Sequence, residues 1–171
     1  MGEEETRAPA AAGCAGRREV SVAAVKHLAG GCMRGKTARN RKGRFVLTPD
    51  SPANYRKVYV DVFSVAASLS VSEELFASAA EAGINAVFVL DAWHEAHMPL
   101  ARRYLELCRR YMLDCRLSEQ KPAEIYAVEL CEAECGAGCA VATRDYDAVL
   151  RAGKCAVLIL RSGRFWRVDT I

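Results

Sequence analysis

Between residues 57 and 90, two apolar runs of strand-forming residues flank one helical pattern, and this spacing leaves the chain few architectures. Lys57-Val-Tyr-Val-Asp61-Val-Phe-Ser-Val-Ala66 is rich in β-branched and aromatic residues and carries one acid, Asp61. From Val71 to Ala82, Leu75, Phe76, Ala79 and Ala80 recur at helical spacing, with Ser72 as a capping residue and Gly83 as a stop. Ala86-Val-Phe-Val-Leu90 is a second continuous apolar strand, with Asp91 at its end. Strand, helix and strand in this order predict a βαβ unit, whose parallel strands are covered on both faces. The expected class is α/β, with helices flanking a mostly parallel central sheet.

The rest of the chain extends the same alternation. Leu100, Tyr104, Leu107, Cys108 and Tyr111 predict a helix over 99–113, with Pro99 suited to its first turn and Arg102, Arg103, Arg109 and Arg110 beside the apolar stripe. A short strand is expected at 115–117, a helix at 122–134 and a strand at 139–143. That strand runs into Asp145 and Asp147, and a short helix over 146–151 follows. Residues 156–160 and 165–168 predict a strand pair about the Ser162-Gly163 turn.

A chain of 171 residues, 51% apolar, can bury one real core with a tail attached. The expected divisions are a disordered tail at 1–18, a basic arm at 19–54 and a folded domain at 55–171. Within the arm, a short helix over 19–29 is expected before Gly30-Gly31, and a short strand at 45–47. The formal net charge of +3 is unevenly spread: residues 17–57 carry eleven Lys or Arg against two acids, and residues 58–171 carry twelve basic against sixteen acidic residues. Six basic residues, Arg34, Lys36, Arg39, Arg41, Lys42 and Arg44, fall within eleven positions and read as a phosphate-binding arm or as a solvated charged loop. The acidic N-terminus, Met-Gly-Glu-Glu-Glu, lacks a secretory pattern, and no run of eighteen apolar residues exists. An intracellular setting, cytoplasm or nucleus, is expected, with no membrane partner and with most of the eight cysteines packed as small core thiols. Cys131, Cys135 and Cys139 lack the paired spacing of a zinc knuckle. His94 and His97 follow Trp93 in a loop, without clear metal partners, and suit either an active-site edge or an ordinary surface.

Three expected strands deliver acids near their carboxyl ends: Asp61, Asp91, and the pair Asp145 and Asp147. In an open parallel sheet, ligands collect beyond those ends. Glu124, in the first turn of a helix, joins them if its helix begins at the same edge. Carboxylates brought together repel unless a cation neutralises them, and all-oxygen ligation suits Mg²⁺ or Mn²⁺. Two such ions support phosphodiester hydrolysis. Each acid also has a plainer role, since Asp91 and Asp145 are of the type that caps a turn or helix and Glu124 suits a helix N-terminus without a ligand.

Ala123-Glu124-Ile-Tyr126-Ala127, with Asp145-Tyr-Asp147 beginning nineteen residues beyond Tyr126, resembles the acidic helix, strand and Asp-x-Asp segment of the flap-endonuclease branch of the PIN-like nucleases. Tyr55 to Ser68 resembles that family's first strand, and Val87-Phe-Val-Leu-Asp91 its second strand and acid. The resemblance runs from about Lys57 to Gly153. It implies a PIN-like three-layer fold over 55–171 and two divalent ions, Mg²⁺ or Mn²⁺, held by Asp61, Asp91, Glu124, Asp145 and Asp147. It further implies structure-dependent cleavage of flap or branched DNA, or of RNA as a PIN-type ribonuclease.

The chain departs from the family pattern in places. Tyr126 stands where the helix motif has its second glutamate. The glycine-led N-terminus is missing, Ala24 standing in its place, and the space between Asp91 and Glu124 is too short for the family's helical arch. Arg102 and Arg103 are then the candidates for phosphate contact beside the arm. The DNA-binding module expected after the core is absent, so a minimal nuclease core is expected. The reading of a different class is a catalytically weakened nucleic-acid-binding or assembly protein.

Overall fold

The computed structural model describes residues 38–39, 45–69 and 73–170. The expected tail, the helix expected over 19–29, and Arg34, Lys36, Arg41, Lys42 and Arg44 lie outside the described residues. In chain order the elements are β1 (Ala38–Arg39), β2 (Phe45–Pro49), β3 (Val58–Asp61), α1 (Val62–Leu69), α2 (Glu73–Ala82), β4 (Ala86–Asp91), α3 (Met98–Arg110), β5 (Asp114–Ser118), α4 (Ala123–Glu134), β6 (Ala140–Thr143), α5 (Asp147–Arg151), β7 (Ala156–Arg161) and β8 (Arg164–Thr170), with 3₁₀ turns at Pro52–Asn54 and Glu95–His97.

The described strands form one mixed sheet in the order β1-β2-β8-β7-β6-β3-β4-β5. Neighbours from β7 through β6, β3 and β4 to β5 are parallel, as the alternation of strands and helices requires. From β3 the chain moves outward through β4 to β5, then returns to lay β6 on the other side of β3. A topological switch point therefore lies between β3 and β6.

One edge of the sheet differs from expectation. β2 pairs with β8 and β1 with β2, both antiparallel, so segments before residue 55 are part of the sheet. The β7–β8 hairpin turns at Ser162 and Gly163, whose φ values of 52° and 70° are the two positive angles of a type I′ turn.

Strand alternation divides the core into two layers. Val58, Val60, Phe88, Leu90, Ala140 and Ala142 face the side covered by α1, α2 and α3. Tyr59, Val87, Val89 and Val141 face the side covered by α4 and α5. The result is a three-layer α/β fold.

β3 is shorter than its composition predicts. It ends at Asp61, opposite Val89, and residues 62–69 are helical. Asp61 accepts the backbone N–H of Ser64, three residues on, as the side chain at a helix N-terminus does. Val62 and Val65 then reach the core from the helix, so their strand propensity is overridden by a burial that either conformation satisfies.

The cysteines also depart from expectation. Cys108 pairs with Cys115, Cys131 with Cys155, and Cys135 with Cys139, as disulfides with Cα separations of 6.2, 6.3 and 6.1 Å. Packed thiols are what the linear sequence suggests, because it does not reveal that α3 runs back against β5 or that α4 ends beside the start of β7.

Candidate active site at the carboxyl edge

The period of two along a strand places residues 59, 61, 87, 89, 91, 141 and 143 of the central strands on one face. Asp61 ends β3, Asp91 ends β4 and Thr143 ends β6, so the three lie side by side on the α4 face at the carboxyl edge. α4 begins at that same edge, and its first turn brings Glu124 to the group.

Asp61 is the most enclosed of the acids, with 3% of its surface exposed. Thr143 Oγ1 donates to its Oδ2 at 3.0 Å. Burial pushes its carboxyl from 3.8 up to about 7, the charges of Glu124 and Asp91 push the same way, and the bonds from Thr143 and the Ser64 amide only partly offset them. Glu124 is raised as well, first by burial and then by the charges of Asp145 and Asp91. Asp61, Asp91, Glu124 and Asp145 are thus close enough to act on one another's protons. Asp147 begins α5 with its side chain exposed, and its N–H donates to Asp145 Oδ1 at 2.9 Å.

Asp91 has surroundings of another kind. Its Oδ1 accepts the N–H of Trp93 at 2.9 Å and of His94 at 3.4 Å, and its Oδ2 lies 2.7 Å from His94 Nδ1 and 2.9 Å from His97 Nδ1. Burial works against its charge, but the bonds from the two imidazoles and the two amides outweigh it and hold the carboxyl below its ordinary range. Among the described residues, these three form the group whose possible ligand atoms all lie within 4.8 Å of one another. An Asp/His cluster of this kind is able to coordinate one divalent ion.

His94 and His97 are the site residues for which the linear sequence offers no partner. Asp91 ends β4, His94 is the extended residue that caps the 3₁₀ turn Glu95–His97, and His97 ends that turn, so the chain folds back on the strand end and brings both imidazoles to the carboxylate. Thr143 and Ser64 also belong to the site. Thr143 is fully buried and holds both Asp61 and the Asp145 amide, and Ser64 Oγ accepts the Arg144 N–H at 2.8 Å.

Three acids, Asp61, Asp91 and Asp145, each accept a backbone N–H two or three residues downstream. The capping role and a ligating role are therefore carried by the same side chains. Tyr126 is half-buried against the α4-side core and lines a depression of about 400 Å³ with Leu117, Ser118 and Lys121. Two residues apart on a helix, Glu124 and Tyr126 cannot share a face. Arg102 and Arg103 are exposed on α3, and Arg39 lies in β1, opposite Val46.

No family model matches the chain, and no curated protein matches it. A solved structure similar to it is that of the PIN domain endonuclease Utp24, with 14% identity over 67% of this chain and 92% of that chain and a TM-score of 0.40. The similarity is weak and partial, and it does not single out the flap-endonuclease branch.

Proposed function

We propose that the chain is a divalent-metal-dependent nuclease of the PIN type that hydrolyses phosphodiester bonds in RNA. The observation that carries this reading is the gathering of Asp61, Asp91, Glu124 and Asp145 at the switch point, where burial and mutual repulsion raise the carboxyls of Asp61 and Glu124. A bound divalent charge would remove the cost of ionising these neighbouring carboxylates in a confined space. When bound, Mg²⁺ or Mn²⁺ supplies neutralisation of charge on the phosphate and activation of the attacking water, and a pair of ions would serve both the attacking and the leaving oxygen.

The chain's own residues do the rest. Asp61, Asp91, Glu124 and Asp145 hold cations, with Asp147 at the rim. Thr143 and Ser64 fix Asp61 and the turn before Asp145. Arg102, Arg103 and the basic arm with Arg34, Lys36, Arg39, Arg41, Lys42 and Arg44 contact phosphates. Trp93, 49% exposed beside Asp91, offers a ring on which a base stacks.

Flap threading is disfavoured by the packing of α3. Ala101, Tyr104, Leu107 and Cys108 bury its inner face against the sheet, so the segment after Asp91 is a layer of the fold and not a free arch for threading a strand. Cleavage assays with single-stranded RNA, single-stranded DNA and flap DNA in Mg²⁺ or Mn²⁺ test the reading. The expected result is cleavage of RNA, abolished by Asp61→Asn and by Asp145→Asn. Folded protein that binds these substrates and cuts none of them would leave the nucleic-acid-binding or assembly role.

A further inference from the structure

We infer that the carboxyl edge holds two unlike cation sites, one of which, Asp91-His94-His97, prefers a transition ion of the Zn²⁺ class to Mg²⁺. The inference rests on the proposed reading of that edge and assigns its second site to a different kind of ion.

The way Asp91 is engaged points to this assignment. Both of its oxygens are occupied within its own turn: Oδ1 by the amides of Trp93 and His94, Oδ2 by two imidazole nitrogens. The acids left across the edge, Asp61, Glu124 and Asp145, offer oxygen alone, which suits a hard ion that keeps its waters. The Asp91 turn offers two nitrogens and one oxygen, a set that suits Zn²⁺, Fe²⁺ or Ni²⁺ and that Mg²⁺ disfavours.

The spacing fits as well. Tetrahedral ligand bonds of about 2.0–2.2 Å leave donor atoms about 3.3–3.6 Å apart. The nitrogens lie 2.7 and 2.9 Å from Oδ2, so an ion enters with a widening of roughly half an ångström or a little more, which the exposed imidazoles are free to make. In the empty site each Nδ1–H donates to Asp91 Oδ2; when an ion binds, that proton leaves Nδ1 to water and one is taken up from water at Nε2, so the lone pair of Nδ1 turns to the ion and the proton count is conserved.

The site is also held and open. His97 stacks on Phe63 with ring centroids 5.0 Å apart, and its N–H donates to the His94 carbonyl at 2.9 Å. The Asp91 side chain is 8% exposed, against 54% for His94 and 42% for His97. The carboxylate is thus fixed from below and the nitrogen side faces water.

Cobalt titration of the full chain, chelator-stripped and with its cysteines oxidised, tests the assignment. One Co²⁺ is expected to bind with visible absorption typical of nitrogen and oxygen donors, without a thiolate charge-transfer band. Zn²⁺ should displace it at equal concentration, and Mg²⁺ should fail at a thousandfold excess. Of the three histidines, two should show metal-dependent side-chain ¹⁵N shifts. His94→Gln and His97→Gln should each weaken Co²⁺ binding at least tenfold, while His27→Gln leaves it within twofold.

Displacement by equimolar Mg²⁺, a thiolate band, or unchanged binding in both histidine variants overturns the inference. The two readings fail separately. Histidine-dependent Co²⁺ binding without any cleavage of nucleic acid removes the nuclease reading alone, and Mg²⁺-supported cleavage without that binding removes the second ion site alone.

Discussion

Thr143 Oγ1 reaches across from the end of β6 to donate a 3.0 Å hydrogen bond to Asp61 at the end of β3, so the two strands that flank the switch point are tied at the carboxylate they enclose. That bond lowers the carboxyl's affinity for a proton, yet burial prevails and the value stands at about 7 instead of 3.8. In the metal-free chain the folded value thus exceeds the unfolded one. The contribution of Asp61 to stability is fully present below about pH 4 and is lost as the pH rises through 7. The loss is several kcal/mol, at most about 4 kcal/mol for three pH units. Denaturant unfolding in the presence of a chelator should show this decline for the native chain and not for Asp61→Asn, which should be the more stable of the two at pH 8. Parallel curves for the two proteins would place the Asp61 carboxyl in its ordinary range.

The acids should not contribute equally to cleavage. Glu124 and Asp145 lie within the group that perturbs Asp61 and Glu124, whereas the Asp147 side chain is exposed and it is the Asp147 backbone N–H that bonds to Asp145. Asp91→Asn, Glu124→Gln and Asp145→Asn are expected to lower kcat by about a hundredfold or more, as removal of one electrostatic interaction with a transition state commonly does. Asp147→Asn should cost less than about tenfold. Single-turnover rates at saturating metal separate the two classes, and an Asp147 variant as damaged as the Asp145 variant would bring Asp147 into the ligand set.

Glu132 should give the opposite pH response to Asp61. From the last part of α4 its carboxylate accepts the N–H of Lys154 at 2.8 Å and of Cys155 at 2.7 Å, tying the helix to the loop that enters β7. Burial opposes its charge, but the amides of Lys154, Cys155 and Gly153 outweigh burial and hold the carboxyl below its ordinary range. Its folded value is therefore depressed, and its contribution is present above the unfolded value near 4.5 and lost as the pH falls through the folded value. Glu132→Gln should destabilise the chain by about 1–3 kcal/mol at pH 7. The difference should close toward pH 3 in thermal unfolding, and a difference independent of pH would mean that packing of the side chain, and not its charge, is what the variant loses.

Much of this edge is legible in the sequence because each part has a local cause. The apolar runs at 58–60 and 86–90 fix two parallel strands, and acids at their ends fall at a carboxyl edge whatever the remaining topology. The end of β3 is harder to place because Val62 and Val65 satisfy strand propensity as well as helix burial, although Asp61 and Ser64 already have the spacing of a cap. The disulfide pairs are not legible, since Cys131 and Cys155 meet only through the packing of α4 beside β7. The imidazoles lack a partner in the linear sequence because they meet Asp91 only where the irregular segment after β4 folds back through the 3₁₀ turn Glu95–His97, which no periodicity announces.

Arg102 and Arg103 offer the last expectation. They stand exposed near the start of α3, two turns or less beyond His97, while Ala101 and Tyr104 on either side of them are buried, so the helix presents its basic side outward as its apolar side meets the sheet. Neutralising both with Gln leaves the buried stripe intact and should change stability by less than about 0.5 kcal/mol. If they touch phosphates, binding to RNA should weaken by a similar factor for every sequence, and the slope of log K against log salt should fall in magnitude by about 0.7 for each phosphate no longer neutralised on a single strand. Fluorescence anisotropy over a range of salt concentrations measures that slope. An unchanged slope with unchanged affinity would make these guanidinium groups a solvated face and leave phosphate recognition to other residues.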